Sequence, residues 1–296
     1  MMSLPVMFAL PAQFLLNGLM IGGIYALIAI GIVIIFKSTK LFNFAVGDMI
    51  MVGGFITFTF MKTGIPPVAA IILAVLAGAL FGLIIERVAL RPMIGQPVFA
   101  AIMVTLAISY LLKGISLLIW GGHPQILPRF LPGHIFRTGS IVWSPELLWT
   151  FGITMLLFVI FGIFYKFSRI GLDMRATAED HQLAQTRGIS VKKIFSITWA
   201  LAGMTAVVGG VLLGLKLSID LPLADVGLKA FSAVIFGGLE SIVGALIGGL
   251  IVGILENMIG GIIDPSLKEI TPYIILLLVL VFRTEGLFGL KRIERI

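Results

Sequence analysis

Apolar runs of membrane-spanning length alternate with short polar breaks along almost the whole chain. A helix needs roughly 20 mostly apolar residues to cross a hydrocarbon core of about 30 Å. The first such run covers Gln13 to Phe36 and stops at Lys37-Ser38-Thr39-Lys40. The second covers Asn43 to Phe60, the third Pro66 to Ile85, ending at Glu86-Arg87, and the fourth Val98 to Trp120. Residues 121–145 are polar and rich in Gly and Pro, which predicts an extramembrane loop. A fifth run covers Leu147 to Tyr165, and residues 166–193 form the longest charged stretch. A sixth covers Ile194 to Leu217. Residues 227–263 are too long for one ordinary pass and are interrupted by Gly237-Gly238-Leu239-Glu240-Ser241. The last run covers Ile270 to Phe282, followed by the basic tail Lys291 to Arg295. The pattern predicts an all-α polytopic membrane protein. It has about eight transmembrane segments, at least one of them broken or re-entrant, in a single transmembrane domain over residues 1–296.

Composition agrees. Of 296 residues, 59% are hydrophobic and 12% charged, against roughly half and a quarter in ordinary soluble domains. The 35 Gly suit close helix packing in lipid. The absence of Cys excludes disulfide and thiolate chemistry. The net charge of +7 sits in short loops, where it sets topology rather than marking a nucleic-acid surface. Lys166, Arg169, Arg175, Arg187, Lys192 and Lys193 place loop 166–193 in the cytoplasm. Counting back puts Lys37, Lys40, Arg87 and Arg91 inside and loop 121–145 in the periplasm. Counting eight simple passes forward puts the basic tail outside, against the rule, so residues 227–263 are expected to hold a re-entrant or hairpin element.

The candidate chemistry is sparse. Residues 173–187 read as one short helix, with Asp173 at its N-cap and Gly188 where a C-cap belongs. Ala176, Ala184 and Gly188 would offer small surfaces to a docking partner; the plain alternative is a solvated loop. Asn43 and Asp48 open the second run, as a cap and as a charge that favours the positive helix end, or as contacts to a solute. Glu240-Ser241 places an ionisable group inside an apolar run, which is costly unless it lines a cavity or finds a partner. Two interrupted segments, Phe44–Gly54 and Phe231–Ile259, point to a translocation path. Glu256 is expected at the interface, and Lys113 is expected to snorkel outward. His123, His134 and His181 lack metal-ligand spacing, and no metal site is expected.

Residues 175–189, 43–48, 237–245 and 283–289, taken together, resemble the branched-chain amino acid permease family of ABC importers. Arg175-Ala176-Thr177-Ala178, Ala184 and Gly188-Ile189 are similar to its coupling segment. Asn43-Phe44-Ala45-Val46-Gly47-Asp48 resembles its Asn-Phe-Ala-x-Gly-Asp signature, with Val46 where the family implies His or another polar residue. Gly237-Gly238-Leu239-Glu240-Ser241-Ile242-Val243-Gly244-Ala245 resembles a Gly-Gly-x-x-Ser-x-x-Gly-Ala block. Arg283-Thr284-Glu285-Gly286-Leu287-Phe288-Gly289 resembles the terminal Arg-Pro-x-Gly-Leu-Phe-Gly, with Thr284 in place of Pro.

The resemblance implies a multi-pass permease subunit in a bacterial cell inner membrane, carrying branched-chain or related amino acids delivered by a periplasmic binding protein. It implies a second permease, identical or homologous, and two cytoplasmic ATPases docked on Arg175, Ala178, Glu179, Ala184 and Gly188. Asn43, Asp48, Gly237, Gly238, Glu240 and Ser241 are then the candidates for the translocation path. No catalytic residue or cofactor is expected in this chain, and ATP-Mg belongs to the partner subunits. The sequence has no Gly-Lys dipeptide and so no Walker A loop. The competing reading is a self-sufficient secondary transporter for a small organic solute, with Asp48 and Glu240 as coupling acids. A membrane enzyme has no support from any nucleophile–base pair.

Overall fold

The computed structural model describes residues 4–128, 130–138 and 141–289, with backbone alone at 4–9 and 138. The basic tail Lys291–Arg295 lies outside the described residues. Eleven helices are formed there: α1 Leu4–Thr39, α2 Val46–Lys62, α3 Pro67–Ile85, α4 Val98–Trp120, α5 Pro145–Phe167, α6 Arg169–Glu179, α7 His181–Thr186, α8 Val191–Gly214, α9 Val226–Gly237, α10 Ile242–Ile262 and α11 Leu267–Phe282. Six helical segments are long and apolar enough to cross a membrane: Leu10–Thr39, Pro67–Met93, Val98–Trp120, Pro145–Phe167, Val191–Gly214 and Ile242–Ile262. α2, α9 and α11 are shorter, with 17, 12 and 16 residues. Among the described residues there are thus six helical segments of membrane-crossing length and three shorter apolar helices, against about eight segments expected. The loop before α5 adds a two-stranded antiparallel hairpin, β1 Phe136–Thr138 and β2 Ile141–Trp143, which departs from an all-helical reading.

The chain forms two compact units. One comprises residues 30–129 and 159–228. Within it α2, α3 and α8 pack through glycines. A Cβ added at Gly53 would lie 2.6 Å from Val207 Cα, and one at Gly78 would lie 2.8 Å from the Gly203 carbonyl oxygen. Such contacts let backbones approach where lipid supplies no hydrophobic drive between helices. The third run does not stop at Ile85, because its first charge is neutralised locally. Buried Glu86 accepts two 3.0 Å hydrogen bonds from Arg91 Nε and Nη2 and one of 3.0 Å from Ser196 Oγ on α8. This bidentate pair carries the helical backbone on to Met93.

The other unit comprises residues 1–29, 130–158 and 229–296. Here α1 and α10 cross through paired small-residue motifs. Gly18 and Gly22 on α1 meet Gly249 and Gly253 on α10, and a Cβ on Gly22 would lie 2.8 Å from Leu250 Cα. A charge cluster is buried beside them. Glu256 accepts from Tyr25 Oη at 2.6 Å and from Lys229 Nζ at 3.1 Å, and Lys229 also donates to Glu269 at 2.7 Å. Glu256 is 1% exposed, so the expectation of an interfacial residue is corrected: with two donors it no longer needs water. Lys229 and Tyr25 carry no local sequence signal for this role, because their shared partner Glu256 lies 27 and 231 positions away. The hairpin is tied to α1 by Gln13, which donates to the Val142 carbonyl at 3.2 Å and accepts from its N–H at 2.9 Å.

Candidate functional site

The first site is built at the start of α2. The segment between α1 and α2 leaves helical geometry while buried: Leu41, Asn43 and Ala45 are 8, 1 and 0% exposed. Irregular backbone at membrane depth is tolerated only where protein or a water-filled cavity satisfies it. Side chains do this here. Thr39 Oγ1 accepts from the Leu41 N–H at 3.2 Å, Asn43 Oδ1 accepts from the Ala45 N–H at 3.1 Å, and Thr105 Oγ1 on α4 donates to the Phe42 carbonyl at 3.4 Å. Asn43 thus caps by a local turn, while the N-cap position itself belongs to Ala45. Gly47 and Gly227 lie face to face. A Cβ on Gly47 would lie 3.1 Å from Gly227 Cα, bringing α2 onto the start of α9 and the 3-10 turn Leu221–Asp225 before it.

Asp48 follows, in the first turn of α2 and about 21 Å along the axis from the helix end at Lys62. Its Oδ1 has no hydrogen-bond partner and faces Lys113 Nζ of α4 at 4.0 Å. Lys113 does not simply snorkel outward: its side chain is 38% exposed and turned to Asp48. Both line a cavity of about 150 Å³ with Ser109, Asp225, Leu106 and Leu228. Asp225 and Lys113 also reach this unit's surface. An Asp or Lys facing lipid near a helix centre costs about 2.5–3.5 kcal/mol on insertion scales, so this polar face is built for water or protein.

The second element is the break between α9 and α10. Gly238 has φ +106°, a left-handed conformation that residues with a Cβ rarely adopt. Ser241 caps α10, its Oγ accepting from the Gly244 N–H at 2.9 Å. The carbonyls freed at the end of α9 are met by the chain's terminal segment: the Leu287 N–H donates to the Phe236 carbonyl at 2.9 Å and the Phe288 N–H to the Gly237 carbonyl at 3.0 Å. Two of the motifs recognised in the sequence, Gly237–Ala245 and Arg283–Gly289, therefore form one junction. Glu240 is half-buried within it. Asn43 and Asp48 belong to one compact unit and Gly237–Ser241 to the other.

The third element is the charged segment after α5. The expected single helix over 173–187 is two, because Asp180 interrupts it. Asp180 Oδ1 accepts from the Gln182 and Leu183 N–H groups at 2.7 and 3.0 Å, ending α6 and capping α7. These backbone donors, Leu183 foremost, hold its carboxyl below the ordinary carboxylate range. The first helix begins at Ser168, not Asp173: the Ser168 Oγ accepts from the Gly171 N–H at 2.8 Å. Gly188 sits past the end of α7 at φ +82°, with the Ile189 N–H donating back to the Ala184 carbonyl at 3.0 Å, so the expected Gly termination is present. Arg175 folds back onto α5, its Nη1 donating to the Tyr165 carbonyl and its guanidinium 5.5 Å from the Tyr165 ring centre. Ala184 is 3% exposed and faces its own unit. The most exposed large apolar side chains of α6 and α7 are Leu172 and Leu183, each 58% exposed, and the small-residue pattern does not single them out. Ala178 is half-buried, and Glu179 and Gly188 are exposed.

Comparison with known proteins agrees with this architecture. The family model "Branched-chain amino acid transport system / permease component" matches residues 14–280. The chain is 32% identical over 299 residues to the high-affinity branched-chain amino acid transport system permease protein BraD of Pseudomonas aeruginosa, covering 96% of this chain and 97% of that one. It is 32% identical over 301 residues to LivH of Escherichia coli, with 96% and 97% covered. It is also 33% identical over 264 residues to the probable branched-chain amino acid transport permease protein LivH of Methanocaldococcus jannaschii, with 83% and 81% covered. A chain that matches this family model over residues 14–280, and the Pseudomonas and Escherichia proteins along nearly its whole length, belongs to the family of branched-chain amino acid transport system permease components.

Proposed function

We propose that this chain is the membrane permease subunit of an ATP-driven importer in the cell inner membrane, with branched-chain or related amino acids as cargo. A second permease completes the channel, a periplasmic binding protein delivers the solute, and two cytoplasmic ATP-binding subunits supply the work. ATP-Mg is bound by those subunits alone. The observation that carries the reading is the capped helix pair α6–α7, held against the end of α5 by Arg175 and presenting Leu172, Glu179, Leu183 and Gly188 on its outer side. A rigid, extramembrane surface with exposed leucines suits a docked partner better than a solvated loop. The path runs past Asn43 and Asp48.

The permease, its ATPases and its binding protein, reconstituted together in liposomes, should accumulate leucine only when ATP is supplied on the ATPase side. Leucine uptake by this chain alone on an ion or proton gradient would return it to the secondary-transporter class.

A further inference from the structure

The cavity at the start of α2 combines features that a plain packing defect lacks. Asp48 is 3% exposed, yet its Oδ1 has no hydrogen-bond donor. Its nearest cation, Lys113 Nζ, is 4.0 Å away, beyond the 2.7–3.2 Å of a direct N–H···O bond. A second carboxylate, Asp225, lines the same space, so the ionised lining carries one negative charge in excess. Leu106 and Leu228 supply apolar wall. The volume of about 150 Å³ matches about five waters. It is small beside the ~300–1,000 Å³ of pockets that enclose ligands. The space suits a head group passing through rather than a whole solute held tightly.

We propose that this cavity takes the head group of a zwitterionic α-amino acid in transit, with Asp48 and Asp225 facing its ammonium and Lys113 its carboxylate. The inference rests on the importer reading and adds to it the site and the chemistry of recognition. A zwitterion divides the stretched Asp48–Lys113 pair without changing the total charge of the site. Its ammonium gives Asp48 Oδ1 the donor it lacks, and its carboxylate receives the Lys113 protons. A solute with one head group leaves one of the two ions unmatched. Because the lining is net negative, an amine should be tolerated better than an acid. The side chain of the solute is left against Leu106, Leu228 and the space beyond them, which fits a site indifferent to side-chain detail.

The chain has no Cys, so Ser109→Cys places a single thiol on the cavity wall. In the assembled complex without binding protein, the rate at which a small charged thiol reagent labels this chain is followed against three solutes of similar size: L-leucine, isoamylamine and 4-methylpentanoate. Leucine should slow labelling at the lowest concentration, and loss of one charged contact should weaken the amine by about tenfold and the acid further. Lys113→Met in the same background should remove the preference for leucine over the amine. An unreactive thiol, no protection by leucine, equal protection by all three, or a preference that survives Lys113→Met would each overturn the proposal. Leu106→Cys supplies a second thiol on the same wall if Ser109→Cys does not assemble. If Lys113→Met does not assemble, the ranking of the three solutes decides alone. The unsubstituted complex is assayed for ATP-driven leucine uptake in parallel. Uptake without the ranking sinks the head-group site only, whereas absence of uptake sinks the choice of cargo.

Discussion

The start of α2 and the α9–α10 break are both places where a membrane helix begins beside glycine and an acid, and they solve the same problem in opposite ways. At the break, main-chain donors from Leu287 and Phe288 meet the freed carbonyls of Phe236 and Gly237. At α2, side chains of Thr39, Asn43 and Thr105 meet the freed backbone, and a polar cavity opens beside Asp48. Backbone-to-backbone closure is rigid and needs only glycines to bring the segments close. Side-chain closure leaves room and charge. An acid beside a helix break is therefore not in itself the mark of a path; a carboxylate oxygen left without a donor, with a cation just out of reach, is the sharper sign.

The contrast is broken most severely at Gly238. Valine there would have to adopt φ +106°, and its Cβ would lie 2.6 Å from the Gly289 nitrogen. Backbone strain and overpacking together should cost about 3–5 kcal/mol, enough to unfold a marginal membrane domain. Thermal melting of the detergent-purified complex would show this; an unchanged melting temperature would mean that the junction is not closed as described. Leu287→Pro comes next. It removes the N–H that satisfies the Phe236 carbonyl and should lower stability by about 2 kcal/mol, again read as melting temperature.

Uptake sharpens the comparison further. Asp48→Asn removes charge at the open site and should lower ATP-driven uptake by about tenfold with assembly yield retained. Glu240→Gln removes charge at the closed junction and should leave uptake within about twofold. Equal losses of uptake at both would erase the functional difference between the two breaks and put Glu240 on the path. Equal losses of yield would make both carboxylates packing residues.

Periodicity and length made the helices legible, and four short motifs made the family legible. The sequence reading located α4 to its terminal residues and placed the Gly237–Ser241 interruption correctly. It missed where local side chains compete with the helical backbone: Asp180 looks like an interior position of one helix but caps the next. It also missed pairs distant in sequence. Lys229 and Glu256 are 27 positions apart and each looks like an isolated charge until the helices pack, and Glu86 meets Ser196 across 110 positions. The Asp48–Lys113 pair was hidden for the same reason, since neither residue signals that α2 and α4 turn these charges together. Docking of the terminal motif on the Gly-Gly break is likewise a product of packing that no spacing rule expresses.

The smallest effect is expected at Ser241. Its hydroxyl accepts from the Gly244 N–H at the first turn of α10, and Ser241 is half-buried. Alanine keeps the backbone and removes the acceptor, so the helix loses one cap worth about 1 kcal/mol. Glycine at the same place should cost a few tenths of that unit, about 0.3 kcal/mol, because a bare N-cap leaves the Gly244 N–H open to water. The order Ser, Gly, Ala in melting temperature would identify Ser241 as a cap. Asparagine, whose side-chain oxygen can also accept, should restore most of the loss. Uptake normalised to assembled complex should stay constant through the series, because the junction holds its shape through Leu287 and Phe288 whatever caps α10. A fall in normalised uptake on Ser241→Ala, with melting temperature unchanged, would show that the hydroxyl serves the solute rather than the helix, and would move the closed break onto the path beside the open one.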